Sequence, residues 1–286
     1  MLTLLIILAV AFVAMGFLAV VKKPGSIYDN EPEEKNPMEG KMVRFVENEA
    51  EPVNADGVRG HLEEIGTPTH KASLYERVVK RALDVVLSFA GMVILSPVFL
   101  IISLWIYFDD PGPVFFTQKR IGKNKRYFKL HKFRSMRMST PHNIPTHMLE
   151  HPEQYITKVG KLLRSHSLDE LPQFWDIFIG NMSVIGPRPG LWNQDLLTAE
   201  RDKWEANDIT PGLTGWAQIN GRDEVEIPVK AELDGEYASN ISLWFDIKCF
   251  LGSVGVFVGD ESQVEGGTWT LRNKNNAEDG AEGKSE

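Results

Sequence analysis

Asp169 and Glu170 stand side by side in the run Ser-Leu-Asp-Glu-Leu-Pro-Gln, residues 167–173. Adjacent carboxylates can serve structure, with Asp169 capping a helix and Glu170 complementing its dipole. They can also serve chemistry if anion-binding groups surround them. Arg164 lies five residues upstream, Arg188 sits in Gly-Pro-Arg-Pro, and a basic block precedes both. In that company one carboxylate could attack phosphorus as a nucleophile. Its neighbour could hold Mg²⁺, a hard ion bound through one or two carboxylates plus substrate phosphates. Metal and arginines would then offset charge developing on a diphosphate.

Several elements must position these groups. Val159, Leu162 and Leu163 recur among Lys158, Lys161 and Arg164 as in a short amphipathic helix ending near Ser165. A second helix begins near Asp169. Ser167 with Glu170 three residues later fits a capping box, but that frame puts Pro172 beyond the first turn, where it would break a hydrogen bond. With Asp169 as N-cap, Pro172 is third in the helix, where no intrahelical donor is needed. The second frame is preferred, and it keeps the Asp169 carboxylate ionised at a positive helix end. Upstream, Pro111-Gly112-Pro113 forces a turn. Val114–Thr117 and Tyr127–Leu130 then flank a turn built on Gly122-Lys123-Asn124, which predicts a β-hairpin with basic side chains for lipid headgroups or a diphosphate.

Charge is unevenly spread along the 286 residues, whose formal net charge is −8. Pro24–His70 carries 11 Asp/Glu against 4 Lys/Arg, whereas Lys71–Arg164 carries 16 Lys/Arg against 6 Asp/Glu. The basic block suits phosphate ligands or an anionic membrane surface, the alternative being a solvated face. No nucleic-acid partner is expected. The single cysteine, Cys249, excludes a disulfide framework within the chain and reads as a small buried hydrophobe.

Two apolar stretches point to the membrane. Met1–Val21 is long enough to span and is followed by Lys22-Lys23, which predicts a retained transmembrane anchor with the rest of the chain on the cytoplasmic side. Residues 22–70 are acidic and poor in large apolar side chains, so a flexible linker is expected there, and a disordered tail over 271–286. The second stretch, Leu83–Phe108, has basic residues on both sides and Ser96-Pro97 near its middle. Either a kinked helix pair enters and leaves by one face, with Ser96 bonding the carbonyl that Pro97 frees, or a kinked helix spans.

The stretch from about Tyr75 to Val258 resembles the bacterial sugar transferases, monotopic phosphoglycosyl transferases that begin polyprenol-linked glycan assembly. Ser96-Pro97, KFRSM (132–136), SLDELPQ (167–173), MSVIGPRP (182–189) and TPGLTGWAQINGRD (210–223) carry the resemblance. It implies that Leu83–Phe108 is re-entrant. It also implies a Mg²⁺-dependent reaction in two steps, in which Asp169 takes the phosphosugar from a UDP-sugar with release of UMP. Polyprenol (undecaprenyl) phosphate then accepts it from Asp169. By the same resemblance Glu170 ligates the metal, Lys132 and Arg164 contact phosphate and Arg188 seats the nucleotide. Arg134 and Gln173, inside the matching motifs, join the substrate-binding set. Trp216 could stack a base, and Gln218 and Arg222 could bond uracil or sugar hydroxyls, unless that segment is only a surface loop. The hairpin departs from the usual pattern at Lys125, where relatives often have a second glycine.

The expected architecture is mainly α with a small β-hairpin, an α+β monotopic membrane enzyme whose catalytic domain runs over 71–270. No extended parallel sheet is expected, because no Rossmann-type glycine fingerprint or strand–helix alternation occurs. The expected location is the bacterial inner membrane, with membrane lipids and downstream glycosyltransferases as partners. Two rivals share the motifs: a scaffold for glycan enzymes with capping carboxylates, and a UDP-sugar pyrophosphatase in which water replaces the lipid acceptor.

Overall fold

The structure, a computed structural model, describes residues 34–140, 151–221 and 225–259. The expected N-terminal anchor, the C-terminal tail and Arg222 lie outside the described residues.

A π-helical stretch, Tyr75–Lys80, leads into α1 (Arg81–Ile94), and α2 (Ser96–Asp109) follows after Leu95. The two arms bend by 60° at the break. Pro97 stands in the first turn of α2 and cannot donate to Val93 O. Ser96 Oγ donates to that carbonyl at 2.8 Å, as the sequence predicts. Among the described residues no single helix is long and apolar enough to cross a membrane; this bent pair qualifies only by length and composition. Ile94 and Phe108 are more than 70% exposed, whereas Ile102 and Ile106 pack inward against Phe133, Val159 and Leu163.

The predicted hairpin is present and longer than expected. Strands β3 (Phe115–Ile121) and β4 (Tyr127–Phe133) pair antiparallel, with Phe116 opposite Lys132 and Thr117 opposite His131. Its turn places Asn124 and Lys125 at φ 54° and 62°, the left-handed region where a side chain is strained. Lys125 is nevertheless fully buried, and its Nζ meets Asp202 Oδ1 at 2.8 Å.

Downstream come α3 (Lys158–Ser165), capped by the Thr157 hydroxyl accepting from Gly160 N, then α4 (Gln173–Ile179) and β5 (Ser183–Ile185). They are followed by α5 (Asp195–Asp202), β6 (Gly212–Thr214), α6 (Trp216–Ile219), α7 (Ile227–Ser239) and α8 (Leu243–Gly259). The described residues thus mix helices with three two-stranded sheets, an α+β arrangement. β5 and β6 pair in parallel over three residues each, a short contact rather than an extended sheet. The backbones there approach so closely that a Cβ on Gly212 would lie 2.1 Å from Gly186 N. Cys249 is fully buried, as expected, beside Ile185, Tyr237 and Phe245.

The linker expectation is corrected for residues 34–70, while residues 22–33 lie outside the described residues. Here β1 (Met42–Glu47) and β2 (Gly60–Gly66) form an antiparallel hairpin that packs on α5. Its apolar anchors are few, chiefly Val43 and Ala55. Polar attachments do the rest: Val43 N donates to Asp202 Oδ2 at 2.8 Å, and Asn36 Nδ2 donates to Lys125 O at 2.6 Å. Asp56 Oδ2 accepts from Leu196 N and Leu197 N in the first turn of α5. Composition measures the apolar surface a segment can bury and misses hydrogen bonds supplied by distant residues.

Candidate active site

The carboxylate pair lies in a tight 3₁₀ turn, Leu168–Glu170, rather than at the start of an α-helix. Ser167 enters it with φ 51°, and Glu170 N and Leu171 N donate back to Ser167 O and Leu168 O. The α-helix begins only at Gln173, with Pro172 at the cap position. This corrects the frame that made Asp169 the N-cap. Pro172 has a fixed φ and no N–H, so it suits the entry to a helix. The tight turn before it is closed by backbone bonds alone, and neither the turn nor α4 has a side-chain cap. The macrodipole of α4 therefore starts one turn beyond Asp169.

Both carboxylates are buried, Asp169 at 3% and Glu170 at 7% exposure. Three elements converge on Glu170. Lys132 of β4 donates from Nζ to Oε1 at 2.6 Å. Arg188, from the turn after β5, donates from Nη2 to Oε1 at 2.7 Å and from Nη1 to Oε2 at 3.4 Å. Burial would raise the Glu170 carboxyl, but the charges of Arg188 and Lys132 and their hydrogen bonds outweigh it. They hold the group well below the usual carboxylate range. Glu170 stays ionised, and two cations stand beside the Asp169 turn.

The other expected residues divide. Gln173, 2% exposed, opens α4 immediately after Pro172. Arg164 closes α3, which packs against the Asp169 turn, and its carbonyl accepts from Ser167 N at 3.3 Å. Arg134 does not join Glu170. Its guanidinium bonds the side chain of Asp110 at 2.6 Å and the Asp110 carbonyl, tying the end of α2 to the end of β4. Trp216 is engaged by its own neighbours: its indole N–H donates to Glu236 Oε2 at 2.7 Å, and Lys248 Nζ lies 4.1 Å from its ring centre. Gln218 is better placed. Parallel pairing brings the segments after β5 and β6 to the same end, and a Cβ on Gly215 would lie 2.1 Å from Gly186 O. Gln218 thus stands near the Arg188 turn, and both polar atoms of its amide are buried without a hydrogen bond to the described residues.

Two supporting contacts escaped the sequence reading. Arg120 Nη1 donates to Pro189 O at 3.0 Å, with Gln118 Oε1 holding its Nε and Nη2, so β3 props the turn that carries Arg188. Asp84, buried in α1, accepts from Ser183 Oγ and Val184 N and anchors β5. The signal for Asp84 was present: an acid alone in an apolar run needs a partner.

Among the described residues no group of three or more His, Cys, Asp and Glu side chains could hold a metal ion. A hard cation completed by substrate phosphates needs only one or two protein carboxylates. The Asp169–Glu170 turn offers oxygen donors of that kind, next to two cations that could pass from Glu170 to phosphate oxygens. Its donor set is compatible with Mg²⁺ shared with a phosphorylated substrate.

The family model described as bacterial sugar transferase matches residues 75–260. The chain is 40% identical over 179 residues to the UDP-glucose:undecaprenyl-phosphate glucose-1-phosphate transferase of Escherichia coli (strain K12), covering 60% of this chain and 38% of that protein. It is 34% identical over 177 residues to the UDP-N-acetylgalactosamine-undecaprenyl-phosphate N-acetylgalactosaminephosphotransferase of Aeromonas hydrophila, covering 59% and 41%. The exopolysaccharide production protein PSS of Rhizobium leguminosarum bv. phaseoli is 35% identical over 190 residues, 62% of this chain and 94% of that one. The chain thus spans about two-fifths of the length of the first two relatives and nearly all of the third. The matched region takes in every element that meets at Glu170 and leaves out the β1–β2 hairpin; this chain belongs to the bacterial sugar transferase family.

Proposed function

We propose that this protein transfers a sugar 1-phosphate from a UDP-sugar to polyprenol (undecaprenyl) phosphate at the cytoplasmic face of a bacterial inner membrane. The observation that carries this reading is Glu170 held ionised between Lys132 and Arg188, one residue from a second buried carboxylate. The names of the relatives support the substrate class, a UDP-hexose and an undecaprenyl phosphate.

In the first step an Asp169 carboxylate oxygen forms a bond to the β-phosphorus of the UDP-sugar. The bond from that phosphorus to the bridging oxygen breaks, and UMP leaves with the electron pair. In the second step a phosphate oxygen of the polyprenol attacks the same phosphorus and Asp169 leaves as a carboxylate, restoring the enzyme. The anomeric bond is untouched. Lys132 and Arg188 orient the diphosphate and offset its developing charge, and burial of the pair keeps competing water away. Glu170 would hold Mg²⁺, which supplies Lewis-acid charge to the phosphoryl oxygens. At the membrane, α1 and α2 enter and leave by the same face, and the 60° bend with exposed apolar side chains on both arms supports that placement.

Membranes containing the protein, incubated with UDP-sugars and Mg²⁺, test the reading. A transferase releases UMP with a lipid-linked product, a pyrophosphatase releases UMP without one, and a scaffold does neither. Asp169→Asn is expected to abolish transfer while membrane association persists. A phosphosugar adduct isolated on any other residue would refute the nucleophile assignment. Scoring UMP release across UDP-sugars identifies the sugar.

A further inference from the structure

Lys132 reaches Glu170 only if β4 is held in one register against α4. A strand offset by one residue turns all its side chains to the other face. Among the described residues β4 pairs with β3 along one edge only, in a two-stranded sheet, and no described strand fixes its other edge. At that edge stands His131, next to Lys132. Its backbone N–H donates to Asp176 Oδ2 at 2.9 Å, and its ring Nδ1 lies 2.8 Å from Asp176 Oδ1. Asp176 comes from the middle of α4 and is fully buried. Its backbone carbonyl also accepts from Asn181 N at 2.9 Å and Met182 N at 3.1 Å, closing the turn that leads into β5 and on to Arg188.

We propose that Asp176 is the positioning residue of the reaction centre, its carboxylate clamping β4 through His131 so that Lys132 meets Glu170. One residue thereby touches both arms that bring cations to the pair: β4 through its side chain, and the path to Arg188 through its backbone. A buried carboxylate is costly unless hydrogen-bonded, and here both oxygens are spent on one residue of the neighbouring strand. The proposal rests on the phosphosugar transfer described above.

Its test is steady-state UMP release by the full-length protein in membranes, beside Asp169→Asn. Asp176→Ala should lower kcat about tenfold or more, since small displacements of positioning groups cost that much. KM for the UDP-sugar should change less than kcat, because Asp176 itself touches no substrate and the displaced Lys132 acts mainly on charge that develops in the transition state. Asp176→Asn keeps the shape and an acceptor for the His131 N–H, and should recover kcat to within about threefold of wild type. A residue that serves stability alone would lower the melting temperature of Asp176→Ala and leave kcat unchanged in the folded protein. His131→Val, which keeps the backbone bond and loses the ring, should slow kcat about threefold or more, again with the smaller change in KM; it carries the test if Asp176→Ala does not fold. Wild-type kcat in Asp176→Ala, or in His131→Val, overturns the clamp and leaves the transfer reading intact. Absence of UMP release by the wild type with every UDP-sugar overturns both.

Discussion

Glu170 is held by cations from two directions, Lys132 at 2.6 Å and Arg188 at 2.7 Å, so neutralising it has two consequences. The amide of Glu170→Gln would no longer fix either cation or donate carboxylate oxygens to a metal. UMP release should fall about 10²-fold or more, the scale of a lost preorganised charge, while membrane association is retained. Activity within tenfold of wild type would remove Glu170 from the reaction. Lys125 makes a separate residue-scale case. Its φ of 62° suits glycine, yet Lys125→Gly is expected to destabilise the protein by about 2 kcal/mol. Relief of backbone strain returns about 1 kcal/mol, but Asp202 and Asp208 lose the lysine that faces them at 2.8 and 3.9 Å. Adding Asp202→Asn should recover part of the loss in a denaturant titration, and no recovery would mean that the ion pair is not the reason for the lysine. The sequence marks position 125 as unusual because a lysine stands in a glycine-like turn. It cannot reveal the partner, which lies 77 residues away.

Among the elements, the apolar helix pair is the most legible. Its break, and the Ser96 bond to Val93 O, follow from what a proline removes from a helix at a known offset. The turn bearing Asp169 is less so, because a 3₁₀ turn closed by backbone bonds leaves no side-chain signature to distinguish it from a first helical turn. Residues 34–66 were illegible for a different reason: β1 and β2 are fixed to α5 by partners remote in sequence. The pairing of β5 with β6 is hidden similarly, since three-residue strands carry too short a pattern. The helix pair also gives a prediction about topology. Single cysteines placed at Met92 or Ile106 should resist an impermeant thiol reagent added from the periplasm. Cys249 is fully buried and contributes little background. Pro97→Ala restores a donor for Val93 O and should favour a straighter helix, with labelling near Ile106 from outside rising. Labelling of the wild-type segment at Met92 or Ile106 from outside would mean that it spans.

For the molecule as a whole, the β1–β2 hairpin and the family-matched region meet along a seam at the start of α5. Asp56 crosses it to cap that helix, and Ala55 N donates to Asn193 O at 3.1 Å. Asp195 lies at the same helix end. Burial, then the charges of Asp56 and Glu51, push its carboxyl up from 3.8 to about 6, with His61 pulling the other way. Between those values the folded chain binds the proton that the unfolded chain has released. Stability therefore falls as pH rises through that window, and the loss is complete above about pH 6. Asp195→Asn has no proton to lose there. Its urea midpoint should exceed that of wild type at pH 7, and the two should converge as the pH is lowered towards 4, where Asp195 in the folded chain is protonated. The excess should shrink without vanishing when Asp56→Asn and Glu51→Gln are present together, since those two charges act on Asp195 from the hairpin side while burial, the larger cause, still separates the proteins. A difference that stays constant from pH 4 to 7 would show that Asp195 titrates normally and that the seam carries no electrostatic tension. Convergence at low pH would mark the seam as the place where the added hairpin and the family-matched region constrain each other.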